Sequence, residues 1–187
     1  MRSVRQVVFS SALFLLTAII LLSGCGTVKR FLPADAQEKV YRLDDYGITV
    51  TASSAWEETE ADNLDLQLVN RSVGMYMSMY GFADMDLAAD STPADLFETQ
   101  NSQILDNREN VQLLEELKTE EYADKTVLSI LYSAEREGTK NYYRAYLLDF
   151  KESDKMAWVL FTAVPSVMTR HTDAVAALID GISLSAE

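Results

Sequence analysis

Cysteine and histidine are almost missing from this chain: its 187 residues hold one of each, Cys25 and His171. A single cysteine cannot close an internal disulfide, and one cysteine with one histidine cannot assemble a zinc site of the Cys/His type. Basic residues are scarce as well, 16 against 29 acidic ones. Arg2 and Arg5 precede Cys25 and no acid does, so from Cys25 onward 14 basic residues face 29 acidic ones, a net charge of −15. Such a surface repels phosphate backbones, which argues against nucleic acid as a partner and suits a cationic one. The glycine patterns of phosphate-binding loops do not occur, and neither does the Gly-x-Ser-x-Gly elbow of serine hydrolases. No cofactor is implied.

The N-terminus also lacks a run long enough to span a membrane comfortably. Val7–Leu22 gives sixteen uncharged residues, short of the ~20 that a transmembrane helix prefers. Two arginines stand before the run and small residues end it, which is the layout of a secretory signal over residues 1–24. Leu22-Ser23-Gly24-Cys25 resembles the lipobox of bacterial lipoproteins: an aliphatic residue, two small ones, then cysteine. The resemblance implies cleavage before Cys25 and a diacylglycerol on its thiol through a thioether. Two or more acyl chains, palmitate among them, hold a protein stably at a membrane because each buried methylene contributes about 0.8 kcal/mol. The competing reading is an uncleaved anchor with an incidental cysteine. Residues 25–40 then form a tether. Its stretch Gly26–Lys39 shows no period and reaches at most ~50 Å when extended. The expected location is the extracytoplasmic face of the cell membrane.

A single domain is expected over residues 41–187. Ile48–Ala52, Leu64–Asn70 and Met75–Phe82 alternate with period two, as strands do. Four longer strands are expected at Val111–Glu121, Lys125–Glu137, Lys140–Lys151 and Met156–Val164. The turn-rich links Glu137–Lys140 and Glu152–Lys155 are too short for anything but antiparallel hairpins. Two segments break the alternation. From Thr92 the sequence supplies an N-cap, Pro93 at the first helical position and Asp95 in the first turn, with Leu96, Phe97, Gln100, Ile104 and Leu105 on one face. From Pro165, Met168, Val175, Leu178 and Ile182 share a stripe that Gly181 closes. The fold class is α+β, an antiparallel β-sheet flanked by helices.

The opening "YGITVTASSAWEE", in which a strand leads through a short turn to Trp56, resembles the start of Mog1/PsbP-like domains. Where members of that family commonly carry proline and glycine before the tryptophan, this chain has Ser54 and Ala55. "TKNYYRAYLLDF", "MAWVLFTAV" and a terminal helix leading to "ISL" are similar to the same family's closing hairpin, helix and last strand. The resemblance runs over about residues 41–185 in order of elements. It implies an α/β/α sandwich used mainly for docking onto protein partners, with no catalytic set to carry over.

Three function classes follow. The first is a tethered, non-enzymatic module that binds an envelope protein. The second is a carrier of Cu(I) or a small ligand, since Met75, Met77 and Met79 point to one face of a strand and soft thioethers suit Cu(I); a packed sheet face is the alternative use of the same row. The third is a hydrolase with an unrecognised site, in which His171 acts as base with Asp173 or Asp180; the alternative is a histidine at the rim of the core. Asp84, Asp86, Asp90 and Asp95 fall at positions 1, 3, 7 and 12 of a calcium loop, but Ala88 and Ala89 stand at positions 5 and 6, where an EF-hand needs an oxygen ligand and a glycine. The pairs Glu57-Glu58, Glu115-Glu116 and Glu120-Glu121 are expected at strand ends or turns, and neighbours in a strand face opposite ways, so they are not catalytic pairs. The lipidation reading is directly testable. Cys25→Ser is expected to leave the precursor uncut and out of the detergent phase; uncut protein that stays membrane-bound would make the apolar run an anchor.

Overall fold

The computed structural model describes residues 37–87 and 91–185. Cys25 and the apolar run before it lie outside the described residues. One unit begins at Glu38 and takes in every element below. Its strands are β1 (Glu38–Leu43), β2 (Ile48–Ser53), β3 (Glu57–Glu58), β4 (Leu66–Asn70), β5 (Met75–Ala83), β6 (Glu109–Glu121), β7 (Lys125–Arg136), β8 (Thr139–Phe150), β9 (Lys155–Ala163) and β10 (Ile182–Leu184). The α-helices are α1 (Pro93–Leu105), α2 (Pro165–Arg170) and α3 (Thr172–Asp180). Seven strands form an antiparallel sheet in the order β3-β4-β5-β9-β8-β7-β6, and β1, β2 and β10 form a second, three-stranded sheet around β2. The fold is therefore the expected α+β class, with a small second sheet added to the covering layer.

β9 shows why the large sheet needs two covers. Met156–Phe161 are buried without interruption, the mark of a strand packed on both faces. On one face, Val159 and Phe161 join Met75, Met77 and Met79, and this layer packs under Ile48 and Val50 of β2 and under Met168, Val175, Leu178 and Ile179 of α2 and α3. On the other face, Trp158 and Leu160 meet Leu147, Tyr143 and Phe97 of α1. Trp56 belongs to the first core at 3% exposure, edge-on to Phe161 with ring centroids 6.2 Å apart.

α1 starts as its sequence predicts. The Thr92 hydroxyl accepts from the Asp95 N–H, the Asp95 carboxylate accepts from the Thr92 N–H, and Pro93 opens the first turn. The Thr92 hydroxyl also donates to the Asp95 carboxylate, and this bond, then the one from the Thr92 N–H, holds the Asp95 carboxyl below its usual range. The buried positions are Phe97 and Asn101, and Asn101 Oδ1 accepts from Trp158 Nε1 at 3.2 Å. A polar residue fills a position that an apolar stripe would skip, because the indole N–H beneath it needs an acceptor.

The terminal helix is not continuous. It breaks at His171, whose φ of −113° and ψ of 28° end α2 and start α3. Gly181 follows α3 in right-handed geometry, and what requires glycine there is contact: a Cβ would stand 2.2 Å from the Thr51 carbonyl oxygen, while the Thr51 N–H donates to the Gly181 carbonyl at 2.8 Å. Lys125, 3% exposed, donates from Nζ to the Ile182 carbonyl at 2.7 Å and so ties the small sheet to the large one.

Two expectations are corrected here. β1 begins at Glu38, inside the stretch read as tether, since Glu38–Val40 pair with Thr51–Ser53 through the backbone while their side chains stay exposed and leave no apolar period. Glu115-Glu116 lie not at a strand end but within β6, beside shifts in its register with β7. Glu115 accepts two bonds from the Arg144 guanidinium, at 2.5 and 3.3 Å, and one from Lys118 at 2.9 Å. Those bonds, Arg144's first, hold its carboxyl below the usual range.

Two outcomes follow from this packing. Trp56→Ala is expected to destabilise by about 3–5 kcal/mol, read as a fall of roughly 10–20 °C in Tm; an unchanged melt would show that Trp56 is not a core anchor. Because Glu115 titrates lower in the folded chain, its contribution is present above the ordinary glutamate pKa of about 4.3 and fades as pH falls through the folded value. Glu115→Gln is therefore expected to cost about 1–2 kcal/mol at pH 7, with the gap closing in melts below about pH 4. A gap independent of pH would mean the pair is not formed.

Candidate functional site

The sequence-predicted residues separate cleanly. Met75, Met77 and Met79 are 1%, 0% and 0% exposed, so the Cu(I) face is corrected to a packed core face. The thioethers lie under β2 and the last helices, where no metal can reach them without unfolding. His171 sits half-buried at the joint of α2 and α3. No ion pair among the described residues joins it to Asp173 or Asp180, both of which are exposed, and the base-and-carboxylate pair is not assembled. Asp86 accepts from the Ala83 N–H and Asp95 caps α1, so two acids of the calcium-like spacing serve local turns. Asp90 and Cys25 lie outside the described residues. Among the described residues no three His, Cys, Asp or Glu side chains gather as a metal site would require.

What the tertiary structure does build is a groove on the large sheet, on the face opposite the methionines. The alternation that sends Met75, Met77 and Met79 inward sends Tyr76, Ser78 and Tyr80 the other way. The pairing of β5, β9, β8 and β7 sets Tyr76, Thr162, Tyr143 and Tyr132 in one transverse row, with Tyr80 opposite Trp158 further along. α1 covers Trp158 but stops at Leu105, leaving the Tyr76–Thr162–Tyr143 end open. The opening holds about 570 Å³, within the ~300–1,000 Å³ of small-molecule sites. Ile104 and Arg108 wall it beyond the helix, Leu64 and Asp62 on the β4 side, and Arg136 and Asn141 on the β7–β8 side.

The electrostatics of this groove run against those of the chain, with two guanidinium groups and one carboxylate, Asp62, in its lining. The Arg108 guanidinium lies 5.6 Å from the Tyr143 ring centroid, a cation–π distance. One of its nitrogens donates to the Asn107 carbonyl at 3.2 Å, while its buried Nε has no acceptor. Arg136 reaches only its exposed neighbour Glu137, at 3.7 Å. The Tyr80 phenol is pushed to a higher pKa by burial and then by Asp65. The lining offers hydrogen-bond donors, aromatic faces and cations.

Sequence reasoning missed this site because its parts come from separate elements: "MYMSMY" carries the signal for Tyr76, Ser78 and Tyr80, while Arg108 in "DNREN" carries none. A second feature was half visible. β6 is the outer strand of the large sheet, paired on one side only, and nearly all of its thirteen residues are exposed.

No family model matches the chain, and no curated protein sequence matches it. Solved structures do. CyanoP, the cyanobacterial PsbP of Synechocystis, superposes with a TM-score of 0.58 at 11% identity, over 88% of this chain and 99% of that one. LpqN of Mycobacterium tuberculosis gives 0.57 at 11% identity, over 87% and 99%. The Saccharomyces cerevisiae protein Mog1p gives 0.53 at 10% identity, over 79% and 95%. The two-sheet core with its flanking helices is thus the fold of PsbP-like and Mog1 proteins.

Proposed function

We propose that this chain is a membrane-tethered extracytoplasmic lipoprotein that acts as a non-enzymatic protein-binding module, taking an extended, basic partner segment alongside β6. The observation that carries this reading is the strand itself. It is thirteen residues long, more than twice the usual strand, and its outer N–H and C=O groups face away from the sheet. Leu113 and Leu117 are each 52% exposed, with Val111 and Leu114 beside them. An added strand satisfies the backbone groups and gives those side chains apolar neighbours.

Charge selects the partner. β6 holds Glu109, Glu115, Glu116, Glu120 and Glu121 against Lys118 alone, so a second copy is repelled and a lysine- or arginine-bearing strand is attracted. The irregular register with β7 also discourages indiscriminate edge pairing. Lipid on Cys25 would hold the domain among envelope proteins and raise its effective concentration against them. Mog1p is a Ran-binding protein and LpqN is involved in cell envelope biogenesis; a binding role on this fold is in keeping with both.

A photo-crosslinker at Leu114 or Leu117 is expected to capture one protein reproducibly from intact cells, and the same probe at Lys140 is not. Capture should weaken with added salt, since exposed charges are screened over about 8 Å at physiological ionic strength. Capture unaffected by Leu113→Glu/Leu117→Glu would remove β6 from the interface. Turnover abolished by His171→Ala would replace the binding module with an enzyme.

A further inference from the structure

We propose that the groove beside Arg108 binds a small amphipathic carboxylate, with the oxyanion on Arg108 and Arg136 and an apolar body on a floor of Tyr76, Leu64 and Ile104. This rests on the groove alone and does not depend on β6.

Among the described residues two arginines are half-buried, Arg108 and Arg144, and the chain treats them differently. Arg144 is met by Glu115 through two hydrogen bonds. Its Nε also lacks an acceptor, but its charge is balanced. Arg108 has no such balance: no carboxylate pairs with it among the described residues, one terminal nitrogen reaches only the Asn107 carbonyl, and its Nε is likewise buried without a partner. In a chain of net charge −13 carboxylates are abundant, so an arginine kept from all of them leaves a demand for an acceptor that the protein does not meet. A guanidinium matches a carboxylate in plane and spacing, and a charged acceptor makes such bonds shorter and stronger.

The rest of the groove sets the ligand's other end. Trp158 and Tyr143, at 0% and 3% exposure, are buried beneath the groove; the floor open to a guest is Tyr76, 47% exposed, with Leu64 and Ile104 half-buried beside it. The hydroxyls of Tyr76 and Thr162 line the same opening. A bare inorganic anion would use the arginines and waste the floor. A neutral apolar molecule would use the floor and leave Arg108 unmet.

The test uses the full chain in nonionic detergent, titrated in a calorimeter with 4-phenylbutyrate, its amide 4-phenylbutyramide, decanoate and inorganic phosphate. Phenylbutyrate is expected to bind at least about tenfold more tightly than its amide, as loss of a charge-assisted bond implies. Arg108→Gln should cost about tenfold and Arg136→Gln a few-fold, while Arg71→Gln, outside the groove, leaves binding unchanged. Tyr76→Ala, at an exposed position that should not perturb folding, is expected to weaken both carboxylates. Tighter binding of decanoate than of phenylbutyrate would assign the site to a lipid-derived acid, and the reverse to a soluble aromatic one; either supports the proposal. Equal affinity for the amide, equal affinity for phosphate, indifference to Arg108→Gln in a variant that melts like the parent, or no binding of either carboxylate would each overturn it.

Discussion

Everything in this fold hangs on β9 being buried on both faces. Six consecutive residues, Met156–Phe161, have no contact with solvent worth counting, and such a strand is stable only between two covering layers. The first layer is built from both ends of the domain, β1 and β2 before the large sheet and α2, α3 and β10 after it. Lys125 fastens that layer by donating to the Ile182 carbonyl, with the Asp124 carboxylate 3.5 Å from its buried ammonium group. The second layer is α1 alone, seated by Phe97 and by the bond from Trp158 to Asn101.

That inequality of cover positions the candidate sites. A sheet, two short helices and Trp56 close the methionine face completely. One helix of thirteen residues cannot do the same for the opposite face; at ~1.5 Å per residue it spans about 20 Å. The uncovered remainder is the groove. β6 is a second consequence, since neither layer reaches the margin of the sheet, and its side chains meet water on both faces. The candidate binding surfaces are the places where the two layers run out.

Charge is distributed with the same logic. The acidic excess lies on solvated edges and turns, where it keeps strands such as β6 from pairing indiscriminately. Arg144 is drawn into that pattern by Glu115, and Arg108 stands outside it on the Tyr143 ring. Two residues of one type thus sit in different surroundings, and the difference lies in whether a carboxylate was supplied.

The sequence by itself determined the elements whose signals are local. The hairpins of β7, β8 and β9 follow from links too short for any crossover, and α1 from the Thr92–Pro93–Asp95 cap. The α+β class and the likeness to Mog1/PsbP-like domains came with their order. Tertiary structure decided the rest, because a period states which residues share a face and not what will lie over it. Met75, Met77 and Met79 shared a face from the start, and only the small sheet and the last helices made that face a core. β1 was silent, since its pairing is backbone to backbone and its side chains are mostly exposed. The break at His171, the contact that needs Gly181 and the meeting of Arg108 with Tyr143 all depend on residues distant in the chain, where no local pattern can record a neighbour.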